Sequence, residues 1–332
     1  MRLNQALTQL PIRFSGERLA AEVNALPATA WTPHPSGYPG NDAVRLVTPD
    51  GNDTDSLFGP MAPTEHLQRC PYIMDVMAEL GAVWGRSRLM GLGAGAEVPG
   101  HIDVNYYWRT HTRVHIPVIT NPGVKFTCGG ETVKMAAGEC WVLDTFRSHT
   151  VVNQGSARRV HLVIDTVGGE HLWDLIRAGE AGANADGPVV EPKAVSRDAL
   201  VFERTNAPTT MSPWEIKCHI ADLLADTQPH PDLRKVAACL DRFTTAWAAA
   251  WARFETSEAG LPVYSHLVET VRHNLAEIGT GDLTLANGRL LYFVLDVVVF
   301  IGATGREKDA GTRPLAFGPQ ISRQPPSSIA LD

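Results

Sequence analysis

The segment from residue 98 to 168 constrains the fold more than any other. It is a succession of short apolar or alternating runs, each cut off by a glycine-bearing turn. Residues 114–120 run into Asn121-Pro122-Gly123, and residues 125–128 run into Gly129-Gly130. Runs at 131–135, 140–143, 150–153 and 158–166 follow, the last being the longest. Strands this short and this regularly broken pair into a barrel or jelly roll. With no helical period between them, a parallel βαβ sheet is not expected.

Polar residues sit in this segment at spacings that carry chemistry. His101 and Asp103 are two apart, so on a strand they leave from one face. His149, on a later strand, adds a third donor. Two imidazoles and one carboxylate leave part of a metal's coordination sphere open, an arrangement suited to non-haem Fe(II) that must also take a chelating co-substrate and O2. The competing reading of His101 is a turn histidine facing solvent.

Arg159, His161 and Val163 share one face of the last strand; Arg158, Val160, Leu162 and Ile164 share the other. A guanidinium inside a barrel is costly unless paired, and a dicarboxylate ligand pairs it bidentately. Arg113 and His115 repeat the two-residue spacing. The alternative for Arg113 is a structural ion pair with Asp144 or Glu139. Asn105, Tyr107 and Trp108 directly follow the His-x-Asp pair and are candidates to wall a substrate pocket, set against plain loop packing. His111 is the best rival ligand, read as a substrate contact or an exposed loop residue. Arg45 is read as a solvated edge-strand arginine before a substrate contact.

Taken together, these motifs resemble the aspartyl/asparaginyl β-hydroxylase family. The carrying residues are His101-x-Asp103, Arg113-x-His115, Gly138-Glu-x-Trp141-x-Leu-Asp144, His149, Asn153 and the run from Arg159 to Asp165. Twelve positions separate His101 from Arg113, and ten separate His149 from Arg159. The branch most similar is the bacterial L-proline cis-4-hydroxylases. The resemblance covers roughly residues 85–168. It implies a double-stranded β-helix (jelly roll, cupin-like) core and Fe(II) held by His101, Asp103 and His149. It also implies 2-oxoglutarate held by Arg159, with Arg113 and His115 assisting, and O2 as oxidant. The activity implied is hydroxylation of an amino acid, free or in a peptide, with release of succinate and CO2. Asp103 speaks against halogenation. A serine that holds the co-substrate in some members has no counterpart; Met90 falls near its place. A non-catalytic cupin-like metal or ligand sensor is the alternative.

Outside the barrel the pattern changes. Ser15 caps a helix with apolar face Leu19, Val23 and Leu26, and residues 71–84 carry a second helical period that Gly85 and Arg86 end. Residues 178–212 lose all periodicity, and from Ser212 the period is helical, with Val236, Leu240, Phe243, Trp247, Trp251 and Phe254 on one stripe. Residues 290–301 are apolar nearly all round and belong at a bundle centre. The expected layout is therefore mainly β with α. An oxygenase jelly roll with an N-terminal helical and loop module spans 1–178. A linker at 179–211, a helical domain at 212–305 and a tail at 306–332 follow. The helical domain is a candidate contact for a peptide leader, a carrier protein or a second subunit forming a homodimer.

A net charge of −7 without a basic block argues against a nucleic-acid binder. Five scattered cysteines form no CxxC pair, and neither a signal peptide nor a spanning segment is legible, so a soluble cytoplasmic protein is expected.

Overall fold

The computed structural model describes residues 3–183, 187–194, 199–206 and 210–305. The tail expected at 306–332 lies outside the described residues. The strands are β1 (Leu7–Arg13), β2 (Thr32–Pro33), β3 (Asn41–Pro49), β4 (Met61–Pro63), β5 (Val83–Leu92), β6 (Glu97–His101), β7 (Thr112–Ile119), β8 (Val124–Cys128), β9 (Glu131–Val133), β10 (Glu139–Leu143), β11 (His149–Asn153), β12 (Arg159–Gly168) and β13 (Val201–Phe202). The helices are α1 (Gly16–Ala25), α2 (Glu65–Gln68), α3 (Pro71–Leu80), α4 (Tyr106–Thr110), α5 (Glu170–Glu180), α6 (Pro213–Ala225), α7 (Leu233–Phe254), α8 (Leu261–Ile278) and α9 (Leu291–Leu295).

Two sheets face each other. The larger runs β1-β10-β7-β12-β5-β3-β2, with β4 on β3 and β13 on β5; the smaller runs β6-β11-β8-β9. Within them, β5-β12-β7-β10 and β6-β11-β8-β9 are two antiparallel four-strand sets that the chain visits alternately, which is the double-stranded β-helix. β12 is the centre of the large sheet, and nearly all of its residues are buried, as expected for a strand covered on both faces.

The outer face of that sheet is apolar. Val114, Ile116, Val160, Leu162 and Ile164 pack there with Leu19 and Val23 of α1 and Ile73, Met77 and Leu80 of α3. Ser15 accepts from the Arg18 amide to cap α1, and the Glu22 carboxylate accepts from the amides of Tyr72 and Ile73 to cap α3. α3 ends at Leu80, earlier than the Gly85-Arg86 stop expected, because Gly81 takes the left-handed conformation that closes the last turn. β5 then starts at once, at Val83.

Two expectations are corrected. The strand run is interrupted, since α4 forms directly after Asp103, with Asn105 as its cap. The 178–212 stretch also contains order: α5 reaches Glu180, and β13 adds to β5 in parallel. The apolar segment at 290–301 is split into α9 and a buried π-helical turn, Asp296–Phe300.

Helices α6 to α9 build their own apolar cluster around Trp247, Tyr264, Leu240 and Val298. That cluster also takes in Val104 and Phe146, two residues of the barrel's loops. α6 ties to α4 twice: Tyr106 donates to Glu215 at 2.6 Å, and Arg109 pairs with Asp222 at 2.6 Å. All five cysteines are free. No helix of the described residues is long and apolar enough to cross a membrane.

Candidate metal centre and its surroundings

The small sheet brings two histidines together by register. His101 ends β6, His149 begins β11, and the two are directly paired. Their rings are 4.2 Å apart. Asp103 is held beside them by its backbone, whose amide donates to the Thr145 carbonyl at 3.0 Å. One ligand atom from each of His101, Asp103 and His149 lies within 4.8 Å of the other two, a spacing one cation can bridge.

Hydrogen bonding sets the tautomers. His101 Nδ1 lies 2.9 Å from the Pro99 carbonyl, and His149 Nδ1 lies 3.0 Å from the Arg147 carbonyl. A carbonyl only accepts, so each Nδ1 carries the proton and each Nε2 lone pair is left for a metal. Burial, with His101 adding to it, pushes the His149 pKa down to about 4, which keeps the ring in the neutral form that ligates. Burial works to raise the Asp103 carboxyl, but Arg113, His149 and His101 outweigh it and hold it below the usual range.

Arg113 links the metal donors to the sheet. It donates to Asp103 at 2.7 Å through one terminal nitrogen and to Asp165 at 2.9 Å through Nε. Its ion pair is therefore with Asp165 and Asp103, not with Asp144 or Glu139. Burial would lower its pKa; the two carboxylates more than reverse that.

Deeper in the barrel the basic groups lack partners. Arg159 Nε and both ring nitrogens of His115 and His161 are buried without a hydrogen-bond partner among the described residues. Burial pushes the Arg159 pKa down to about 9 and holds His115 and His161 well below the ordinary histidine value. A chain of rings connects this region to the metal donors: His149 to Phe126 at 6.3 Å, Phe126 to His115 at 5.4 Å, His115 to His161 at 5.9 Å. Buried donors with no acceptor suit a dicarboxylate ligand, and the three oxygen and nitrogen donors suit a divalent iron, so the residues present fit both groups.

The remaining candidates divide. The Asn105 side chain accepts from the Trp108 amide, a helix-capping role. Trp108 is buried, with the guanidinium of Arg113 at 4.2 Å from its ring centre and that of Arg86 at 5.2 Å. Tyr107 is fully buried, stacked on His111 at 3.6 Å, and its hydroxyl accepts from the Arg86 amide. His111 is not exposed and is not part of the His101-Asp103-His149 donor group. It is buried and bonds Glu203 through Nε2 at 2.9 Å. Arg45 is not a free edge residue, since β3 is flanked by β5 and β4 and the arginine grips Asp55 and Asp53.

Sequence reasoning did not single out Arg86, Arg88 and Asp165 as site residues. Their signal was present: Arg86-x-Arg88 on β5 repeats the spacing of Arg113-x-His115 on β7 and Arg159-x-His161 on β12, three neighbouring strands.

Residues 56–168 match the family model described as aspartyl/asparaginyl beta-hydroxylase. The match is confined to that segment, about a third of the chain, and shows what the segment is similar to. A curated relative, L-proline cis-3-hydroxylase 1 of a Streptomyces species, is 26% identical over 37% of this chain and 45% of its own length. The chain thus spans about half the length of the curated relative it matches, and that relative is a cis-3 enzyme where the resemblance pointed to cis-4. Among solved structures, an oxidoreductase of the 2OG-Fe(II) oxygenase family from Burkholderia pseudomallei is 14% identical, covering 49% of this chain and 86% of that one, with a TM-score of 0.38. A Pseudomonas putida prolyl-4-hydroxylase is also 14% identical, covering 49% and 92%, with a TM-score of 0.34. At such scores the jelly-roll assignment stands on the strand order itself.

Proposed function

We propose that this protein is an Fe(II)- and 2-oxoglutarate-dependent dioxygenase that hydroxylates a C–H bond of an amino acid, free or within a peptide, releasing succinate and CO2. The observation that carries the reading is the juxtaposition of a His-Asp-His donor set with a buried arginine that has no partner among the described residues. Ferrous iron bound with 2-oxoglutarate and O2 supplies the oxidising chemistry.

The chain's own residues do the rest. His101 and His149 offer Nε2 in a fixed tautomer, and Asp103 offers a carboxylate kept ionised by Arg113. Arg159 takes the far carboxylate of the co-substrate, with His115 (and His161 beside it) as nearby donors. Asn105 holds α4 in place, while Tyr107 and Trp108 form a dry wall over the centre. The proline hydroxylase among the relatives favours a small free amino acid as substrate. A cytoplasmic setting agrees with five free cysteines.

Succinate formation without substrate tests the reading. It should require Fe(II) and be abolished in Arg159→Ala. A non-catalytic cupin-like protein would bind the metal and form no succinate.

A further inference from the structure

Glu203 reaches the barrel from well beyond its last strand in the chain. It follows β13, the short strand that adds to β5 in parallel. Its amide donates to the Trp84 carbonyl at 3.0 Å, and its carbonyl accepts from the Met61 amide at 2.7 Å, so its backbone is tied twice. The residue is 4% exposed, and both carboxylate oxygens lie within hydrogen-bond distance of His111 Nε2, at 2.9 and 3.1 Å. Burying a carboxylate against an imidazole strips both of water, and an apolar pair of the same volume often stabilises a fold as well or better. What such a pair supplies beyond stability is a fixed arrangement of the groups around it.

From His111 a run of contacts leads to the candidate metal donors. His111 Nδ1 donates to the Tyr107 carbonyl at 2.7 Å, and the two rings are stacked at 3.6 Å. The Tyr107 hydroxyl accepts from the Arg86 amide at 3.0 Å, and the Tyr107 ring meets Trp108 edge-on at 4.9 Å. Trp108 offers its ring to the Arg113 guanidinium at 4.2 Å, and Arg113 donates to Asp103 at 2.7 Å. Gly85 shows how closely these groups are set. A Cβ there would stand 2.7 Å from the Tyr107 hydroxyl, 3.2 Å from the His111 ring and 3.3 Å from the Asp165 carbonyl. β5 thus blocks the stacked rings on the sheet side, and Glu203 anchors the His111 ring.

We propose that Glu203 is a positioning residue for the metal centre. It acts through His111, Tyr107 and Trp108 to fix the Arg113 guanidinium, and so the angle at which Asp103 faces the two histidines. The inference rests on the reading of His101, Asp103 and His149 as metal donors. Residues that orient a ligand from outside the coordination sphere change metal affinity by roughly tenfold to a hundredfold when lost.

Metal-free protein is titrated with Co(II) and followed by its visible absorption, at a temperature where circular dichroism shows every variant folded. Glu203→Gln keeps the shape of the side chain and removes the charge. It should bind Co(II) roughly tenfold more weakly and shift the absorption band. Leu19→Ala opens a cavity on the outer face of the large sheet and serves as the destabilised control. Its Co(II) affinity and band should match wild type. Trp108→Leu should weaken binding by a factor similar to Glu203→Gln, and the double variant should be no worse than Trp108→Leu alone, as required of residues acting in series. Losses that multiply in the double variant overturn the proposal. So does wild-type affinity in Glu203→Gln, or an equal loss in Leu19→Ala. If Glu203→Gln does not fold, Gly85→Ala, which presses on the same two rings from β5, carries the same expectations. A wild type that binds no Co(II) refutes the metal reading itself, whereas binding that Glu203→Gln leaves unmoved refutes the positioning role alone.

Discussion

Replacing Arg159 by methionine should make the ligand-free protein more stable while destroying its response to 2-oxoglutarate. Arg159 is 4% exposed, and its Nε has no hydrogen-bond partner among the described residues. Burial takes its pKa from 12.5 to about 9. At about 1.36 kcal/mol for each tenfold change in proton affinity, that depression corresponds to a cost of about 5 kcal/mol for keeping the charge in the fold. Methionine keeps the apolar stem and removes the charge, giving back some packing and losing some contacts. A net gain of about 2 kcal/mol is expected, or a rise of about 4–8 °C in Tm. The assay is differential scanning calorimetry of the metal-free protein with and without 2-oxoglutarate. Wild type should gain about 2.7 kcal/mol at a hundredfold excess over Kd, and the variant nothing. A variant that melts below wild type without ligand, or that still responds to 2-oxoglutarate, refutes the picture of an arginine held in wait for a dicarboxylate.

Phe146 is 8% exposed and sits in the helical cluster, so Phe146→Ala should cost about 3 kcal/mol and loosen Fe(II) binding at His149, three residues on; metal titration with an equilibrium probe checks both. Removing residues 212–305 should abolish Fe(II) binding rather than leave a working barrel, and retention of metal affinity would refute that. Glu203→Gln leaves His111 facing a neutral amide in a buried pair and should lower Tm by several degrees, read by calorimetry. His34 has its pKa depressed in the fold, so the unfolded chain binds the extra proton as pH falls from 6.5 toward 3. His34 therefore withdraws stability across that window, and His34→Gln should flatten the acid limb of a Tm-against-pH profile by about 2 kcal/mol.

The barrel and its donors were legible because they are written in short range. His101 and Asp103 obey the period of two, and Arg113-x-His115 and Arg159-x-His161 obey it again on the two strands that the fold sets side by side. What failed was written in long range. His111 reads as a loop residue until Glu203, 92 positions away, is brought against it. Arg45 reads as an edge residue because nothing local announces that β4 and β5 flank its strand. α4 was missed because five residues are too few to show a helical period; only Asn105, an N-cap residue before three aromatic positions, hinted at it. The stretch at 199–206 has no pattern of its own, and takes its order from β5 and from Asn206, which accepts from the Gly59 amide.

The sharing of Val104 and Phe146 between the barrel's loops and the helical cluster has a consequence for biosynthesis. Among the described residues, the loops that carry Asp103 and lead to His149 share an apolar cluster with residues 211–303, which leave the ribosome after the barrel itself is made. At 5–20 residues per second, roughly 150 further residues take about 10–30 s. During that interval the strands can pair, but α4 has no α6 to bond and the metal donors have no fixed wall. The three candidate metal donors are thus the last part of the barrel to gain their cover. A ribosome-stalled chain ending near residue 210 should leave α4 open to protease, while one extended through residue 305 and the length of the exit tunnel should protect it.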